Sequence, residues 1–199
     1  MIRRGNKKER IIRVLLNAPE GALSKYRIAK LAQCSFPWTH EYLKQLESHD
    51  IIEDTLVKDY EGLFKTWLGI KGKPRKREYL IKKPLETLEE VELEYALTTY
   101  QAENLVQNYL FPSRIDLYIK ESDEPLWSAK LSLEGLLGRG NVRTLVYDEH
   151  VFYHSFMKKH YWLVSLPQLI VDLYDEGGVC AEAADHLFKK IVSSRVQPE

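Results

Sequence analysis

The 199-residue sequence predicts an α+β protein, a helical N-terminal domain followed by a small mixed α/β domain. Three observations carry that expectation. Residues 1–83 hold 19 Lys+Arg against 10 Asp+Glu, whereas 84–199 hold 10 against 19, so a formal charge of zero hides +9 and −9. Apolar residues in the first half recur at helical spacing, broken by short turn signals. In the second half, segments of helical period interleave with short alternating ones. Charge asymmetry of this size suggests a polyanion-binding module joined to something different, with chance clustering of solvated faces as the bland alternative.

Composition sets the outer limits. The chain has room for one large domain or two modest ones, and twelve Tyr with four Trp serve core, interface or base stacking alike. Two cysteines, Cys34 and Cys180, offer neither a disulfide scaffold nor a zinc cluster. No apolar run approaches the roughly 18 residues of a membrane span, and MIRRGNKKER is not followed by the apolar core of a signal peptide. A cytoplasmic protein without a membrane partner is the expectation.

In the basic half, Ile11, Ile12, Leu15 and Leu16 predict an amphipathic helix over 7–17, stopped near Pro19 and Gly21. Ser24 caps a second helix in SKYRIAKLAQ, with Ile28 and Leu31 inward and Ala29 and Ala32 allowing close packing. After the break at Cys34-Ser35-Phe36, Pro37 opens a third helix whose Thr39, Leu43 and Leu46 form its buried stripe. Pro37, Glu41, Lys44 and Ser48 lie opposite, flanked by Trp38, His40 and Gln45. Three short helices and then the apolar pair Ile51-Ile52 resemble a winged helix-turn-helix, through SKYRIAKLAQCSFPWTHEYLKQLESHDII. Such folds also serve as protein-interaction modules.

On the nucleic-acid reading, the third helix enters the major groove. Lys44 meets a phosphate or a guanine edge, Gln45 pairs with adenine, His40 donates or accepts, and Glu41 accepts from a cytosine amine. Ser35 and Trp38 complete the contact set from the helix start, although packing of Trp38 on its own domain is the favoured role. Two basic stretches flank the unit: Arg3, Arg4, Lys7, Lys8, Arg10 and Arg13, then KGKPRKREYLIKK. The second, with Lys71, Lys73, Arg75, Lys76 and Arg77, is expected as a loop or ribbon tip laying charge along the phosphates. A strand at 53–57 and a helix capped by Asp59, with Leu63, Phe64, Trp67 and Leu68 inward, lie between. The wing is then either 53–58 or 66–81.

The acidic half reads as a helix from Pro84 to 94, a helix through YALTTYQAENLVQNYLFPS, and a strand in RIDLYIK. A helix follows in EPLWSAKLSLEGLLGRG, then strands in NVRTLVYD, VFYHSF and HYWLVS, and helices in SLPQLIVDLYDEG and EAADHLFKKIV. Helices over a small sheet result. YALTTYQAENL, SRIDLYI, NVRTLVYDEHVFY and VSLPQLIVDLYDEGGVCAEAADHL resemble the effector region of the abortive-infection, type IV toxin–antitoxin antitoxin family. Over roughly residues 24–190 that resemblance implies a transcriptional autoregulator, partnered genetically with a nucleotidyltransferase-like toxin. The chain departs from the family in lacking glycines near Thr98-Thr99.

Catalytic sets are not evident in the sequence. A nucleotidyltransferase needs a Gly-Ser turn and paired aspartates for metal, whereas RIDLYI offers Asp116 with Tyr118 where the second carboxylate would stand. Neither a P-loop nor a dinucleotide turn nor a nucleophile elbow occurs. His150 and His154, read as strand residues, would stand about 13 Å apart and share no ion. Asp172, Asp175 and Glu176 read as a solvated helix end, and Cys180 as a packing residue. The expectation is therefore a non-enzymatic regulator without cofactor or metal. It binds double-stranded operator DNA, with an acidic domain that faces away from the duplex and acts in homodimerisation or toxin control. About six neutralised phosphates would give log affinity a slope near −5 against log salt. Masking of the basic domain by the acidic one is the alternative.

Overall fold

The structure, a computed structural model, describes residues 4–196 and divides into two compact units, 1–72 and 73–199. The first unit opens with α1 (Arg4–Asn17), α2 (Lys25–Leu31) and α3 (Phe36–Ser48). Ser24 is the N-cap of α2 and its hydroxyl accepts from the Arg27 N–H at 3.2 Å. Gln33 takes a positive φ of 54° in the turn between α2 and α3, where Cys34 N–H closes on Ala29 C=O at 2.9 Å. Pro37 occupies the first turn of α3, and Thr39, Tyr42, Leu43 and Leu46 are its buried stripe.

Strands β1 (Ile52–Glu53) and β2 (Leu56–Val57) form an antiparallel hairpin directly after α3. Glu20 bridges Leu56, and Val57 N–H donates to Pro19 C=O at 2.8 Å, so the α1–α2 connection becomes a third partner of the hairpin. Gly21 makes that approach workable: its φ is +74°, and a Cβ there would stand 3.2 Å from Leu56 Cβ. Helix α4 (Tyr60–Ile70) starts at Asp59, whose carboxylate accepts from Gly62 N–H at 2.8 Å. Leu63, Phe64 and Trp67 of α4 join Ile11, Ile12, Leu15 and Leu16 of α1 in the core, while Leu68 is half-buried.

The boundary between units falls at Gly72/Lys73, not at 83/84. The segment expected as a loop or ribbon tip, KGKPRKREYLIKK, instead supplies β3 (Arg75–Ile81) of the second unit. Divided there, residues 1–72 hold 13 Lys+Arg against 9 Asp+Glu and 73–199 hold 16 against 20. The balance per unit is +4 and −4, because residues 73–83, with six Lys+Arg against one Glu, belong to the second unit.

The second unit continues with α5 (Pro84–Glu89), β4 (Tyr95–Thr98), α6 (Thr99–Gln107) and β5 (Ile115–Ile119). Then come α7 (Glu124–Glu134), β6 (Gly135–Leu137), β7 (Val142–Val146), β8 (Phe156–Lys158), β9 (Tyr161–Leu163), α8 (Leu166–Glu176) and α9 (Val179–Val196). Strands β3 to β9 form one mixed sheet in the order β6-β3-β7-β5-β4-β9-β8. Pairs β5–β7 and β4–β9 are parallel and the others antiparallel. Register places Thr98, Asp116, Tyr118 and Arg143 on the face that carries α8, and Tyr79 and Tyr95 on the face that carries α7. Both faces are covered, so β5 and β7 are buried at all five positions each.

Several expectations are corrected here. YALT is a strand, and the helix expected through it starts only at Thr99. The apolar run is short and ends at two β-branched threonines, which favour the sheet. The helix from Pro84 stops at Glu89, and GLL after α7 is the edge strand β6. His150 and the Val151-Phe152 start of VFYHSF, expected as strand, lie in a 3-10 turn, Glu149–Phe152, capped by Asp148, and Phe156 begins β8.

Candidate nucleic-acid interface

The outward face of α3 and the start of α2 form the most distinctive surface of the first unit. Tyr26 and Phe36 are large exposed aromatics, with ring centroids 6.1 Å apart, and Phe36 stacks on His40 at 5.7 Å. Glu41, Lys44 and Gln45 are exposed on the next turns, and Ser35, also exposed, is the N-cap of α3. Cations elsewhere in the unit are engaged: Lys25 with Asp54 at 2.9 Å, Lys58 with Glu53 at 3.0 Å, Lys65 with Glu61 at 2.5 Å. Arg27, Lys30 and Lys44 are exposed and hold no ion pair among the described residues. A face offering free cations, amides and aromatic edges together can meet phosphates, base edges and sugars.

The rest of the expected contact set is dispersed. Trp38 packs against its own unit, 5.8 Å from the Tyr42 ring and beneath the Lys7 ammonium at 5.6 Å. Burial pushes the Tyr42 hydroxyl up from its ordinary value, and Lys8 lies over that ring at 5.0 Å. His40 is half-buried, and its Nδ1 is buried without a hydrogen-bond partner. The basic lead into α1 is mostly structural: Arg10 is buried and donates to Gln33 at 2.9 Å, and Arg13 is buried with its guanidinium 5.0 Å from the Trp67 ring. Arg3 and the Arg4 side chain lie outside the described residues. Lys71 is the C-cap of α4, and Lys73 begins the second unit.

Arg75, Lys76 and Arg77 belong to β3, so they are not a wing on the helical unit. Arg75 pairs with Glu121 and Glu124, and Arg77 with Glu124 at 3.1 Å. Lys76 is exposed. Of the two segments weighed as a wing, 66–81 spans the end of α4 and β3, while 53–58 falls on the hairpin of β1 and β2. Its tip is Asp54-Thr55, and Lys25 neutralises Asp54, so this hairpin brings little positive charge of its own.

A second constellation lies inside the other unit. Asp116 of β5 is fully buried and both its oxygens accept from arginines: Arg143 at 2.9 and 2.8 Å, Arg114 at 2.7 and 3.1 Å. The same two guanidiniums reach Glu176 of α8 at 2.7 and 2.6 Å. Thr99 donates its hydroxyl to Asp116 from a backbone at φ +47°, a strained conformation for a β-branched residue. One turn earlier on α8, buried Asp172 accepts from Thr98 at 2.7 Å, Tyr118 at 3.0 Å and Gln168 at 2.9 Å. Asp172, buried, and Glu176, half-buried, are therefore anchors and not a solvated helix end, while Asp175 beside them is exposed. The signal for the two anchors was present: Leu169, Asp172, Leu173 and Glu176 follow the i, i+3, i+4, i+7 pattern of one helix face.

Electrostatics follow from that arrangement. Burial works against ionised Glu176, but hydrogen bonds from Arg143 and Arg114 outweigh it and hold the carboxyl below its ordinary value. Burial likewise opposes the charge of Arg114 and Arg143, and their carboxylate partners raise both above the usual arginine range. Tyr100, whose ring lies 5.2 Å from the Arg114 guanidinium, is pushed up to about 12 by a hydrogen bond with Cys180 and then by burial. Burial raises the Cys180 thiol too, as expected of a packing residue. Two arginines occupy the positions from which a divalent ion would address Asp116, and Tyr118 stands two residues on. Among the described residues no group of three or more His, Cys, Asp or Glu could hold a metal ion. No helix among them is long and apolar enough to cross a membrane.

No family model, curated protein or solved structure matches the chain.

Proposed function

We propose that residues 1–72 are a winged helix-turn-helix unit that binds duplex DNA, and that the chain is a cytoplasmic transcriptional regulator. One observation carries the reading. Arg27 and Lys30 of α2 and Lys44 of α3 are exposed and hold no ion pair among the described residues, Glu41 and Gln45 of α3 are exposed with them, and the exposed rings of Tyr26 and Phe36, 6.1 Å apart, join the two helices. The order of three helices and a hairpin that pairs back to the α1–α2 connection supports it. On this reading α3 lies in the major groove, with Gln45 at a base edge and Arg27, Lys30 and Lys44 at phosphates. Arg75 and Arg77 are excluded from the contact set, because carboxylates of their own unit hold them.

The second unit is proposed as a non-enzymatic effector or dimerisation domain. Asp116 serves there as a structural charge, saturated by two guanidiniums. The resemblance of this half to type IV antitoxins extends the proposal to an autoregulator of an operon encoding a nucleotidyltransferase-like toxin. Fluorescence anisotropy with duplexes from the region upstream of the gene tests the DNA claim. Tighter binding to one upstream duplex than to its scrambled counterpart is expected, and equal binding to both would overturn it. A neighbouring gene with no nucleotidyltransferase signature would remove the antitoxin part alone.

A further inference from the structure

Strand β6 is an edge of the seven-stranded sheet, bonded on one side only to β3. Gly138 N–H donates to Glu78 C=O at 2.9 Å, so the alternation of an antiparallel ladder turns the N–H and C=O of Leu137 away from β3. Soluble proteins ordinarily blunt such an edge with lysine, proline or a covering loop. This one carries leucine. Leu136 is 71% exposed, Leu137 64%, Leu133 at the end of α7 85%, and Leu80, opposite Leu136 on β3, 54%.

We infer that this edge is where a second copy of the chain docks, β6 pairing antiparallel with β6 of the partner about a two-fold axis through Leu137. Three features favour that occupant. A strand paired antiparallel with its own copy is isologous and closes at two subunits, and a two-fold through Leu137 lets the copies exchange both of its outward backbone bonds. The four leucines present about 500 Å² of apolar surface per copy, close to the apolar share of a standard interface of about 800 Å² a side. The ends of the strand also carry opposite charges. Glu134, exposed and paired with Lys130 of its own helix at 3.3 Å, precedes β6, and Arg139, exposed and without an ion pair among the described residues, follows it. Antiparallel docking sets the Glu134 end of each copy against the Arg139 end of the other, whereas parallel docking would set like against like. At the far end of the strand, a Cβ at Gly138 would have nothing within 4 Å, so that flank is open to the approaching chain.

The inference does not rest on the DNA-binding reading, since the mass of the full chain is measured without nucleic acid. By light scattering at micromolar concentration we expect twice 23.3 kDa for the natural sequence. Leu137→Lys should return the chain to 23.3 kDa with an unchanged far-ultraviolet circular dichroism spectrum. A natural chain that stays at 23.3 kDa, or a folded Leu137→Lys chain that stays dimeric, overturns the inference. Should Leu137→Lys fail to fold, charge reversal at the exposed ends decides. Arg139→Glu should weaken association about tenfold, and Glu134→Arg with Arg139→Glu should restore it. Association unmoved by both also overturns the inference.

Discussion

Replacing Arg143 by Met keeps most of the side-chain volume and removes a charge that two carboxylates share. Arg143 is 6% exposed and holds fully buried Asp116 through two hydrogen bonds and Glu176 through a third. Breaking a buried ion pair by removing one partner costs about 3–5 kcal/mol, because the remaining charge is left in a poor solvent. Arg114 still reaches both carboxylates, which places the expected loss near the lower end, about 3 kcal/mol. Unfolding entropy of about 2.1 cal/mol/K per residue over the second unit gives about 0.27 kcal/mol/K, so its midpoint should fall by about 11 °C. Calorimetry of the full chain at neutral pH measures this. The linked acid dependence has a definite sign. Glu176 is held below its ordinary value of 4.5, so it contributes stability above that pH, and the contribution is lost as pH falls through its lowered folded value. Since Arg143 supplies much of the lowering, the gap between natural and Arg143→Met chains should narrow as pH falls below about 4. A midpoint loss under about 3 °C, or a gap that widens in acid, would refute the buried-charge reasoning.

Three further outcomes are expected. Thr99→Ser should be close to neutral, whereas Thr99→Ala should cost about 1–3 kcal/mol by leaving Asp116 short of a donor, read by urea denaturation. Trp67→Phe should destabilise the first unit by about 1–3 kcal/mol, because Glu9, 2% exposed, accepts the indole N–H at 3.2 Å. In anisotropy titrations, Lys44→Ala with Gln45→Ala should relax sequence preference by about 1–3 kcal/mol per contacted base. Arg75→Ala with Arg77→Ala should leave DNA affinity unmoved, since Glu124 already occupies both side chains.

The helical unit was legible because its elements announce themselves locally. Ser24 and Asp59 cap helices as their spacing implied, and Thr39, Leu43 and Leu46 form the stripe that a helical wheel gives α3. What local patterns hid was long-range pairing. Arg75, Lys76 and Arg77 look like solvated loop, yet distant partners recruit them: β7 pairs with their backbone, Glu124 at the start of α7 answers two of the charges, and Tyr79 and Ile81 behind them carry the alternation that marks a strand. The boundary between units went astray with that segment. The Asp116–Arg143–Glu176 cluster joins residues from β5, β7 and α8, far apart in sequence, so only the apolar neighbours of Asp172 and Glu176 hinted at burial. Arg10 and Arg13 show the same difficulty in reverse. A basic run reads as surface, whereas packing against Gln33 and Trp67 makes those two residues part of the core.

The central claim, that the first unit grips duplex DNA through α2 and α3, is tested most directly by the salt dependence of binding. With the β3 arginines engaged elsewhere, Arg27, Lys30 and Lys44 supply about three phosphate contacts per chain, fewer than the about six that charge alone suggested. Log affinity for one half-site should therefore fall against log salt with a slope near −3, and Lys44→Ala should reduce that slope by about one. A slope indistinguishable from zero, or one that Lys44→Ala leaves untouched while Arg75→Ala with Arg77→Ala diminishes it, would contradict the account.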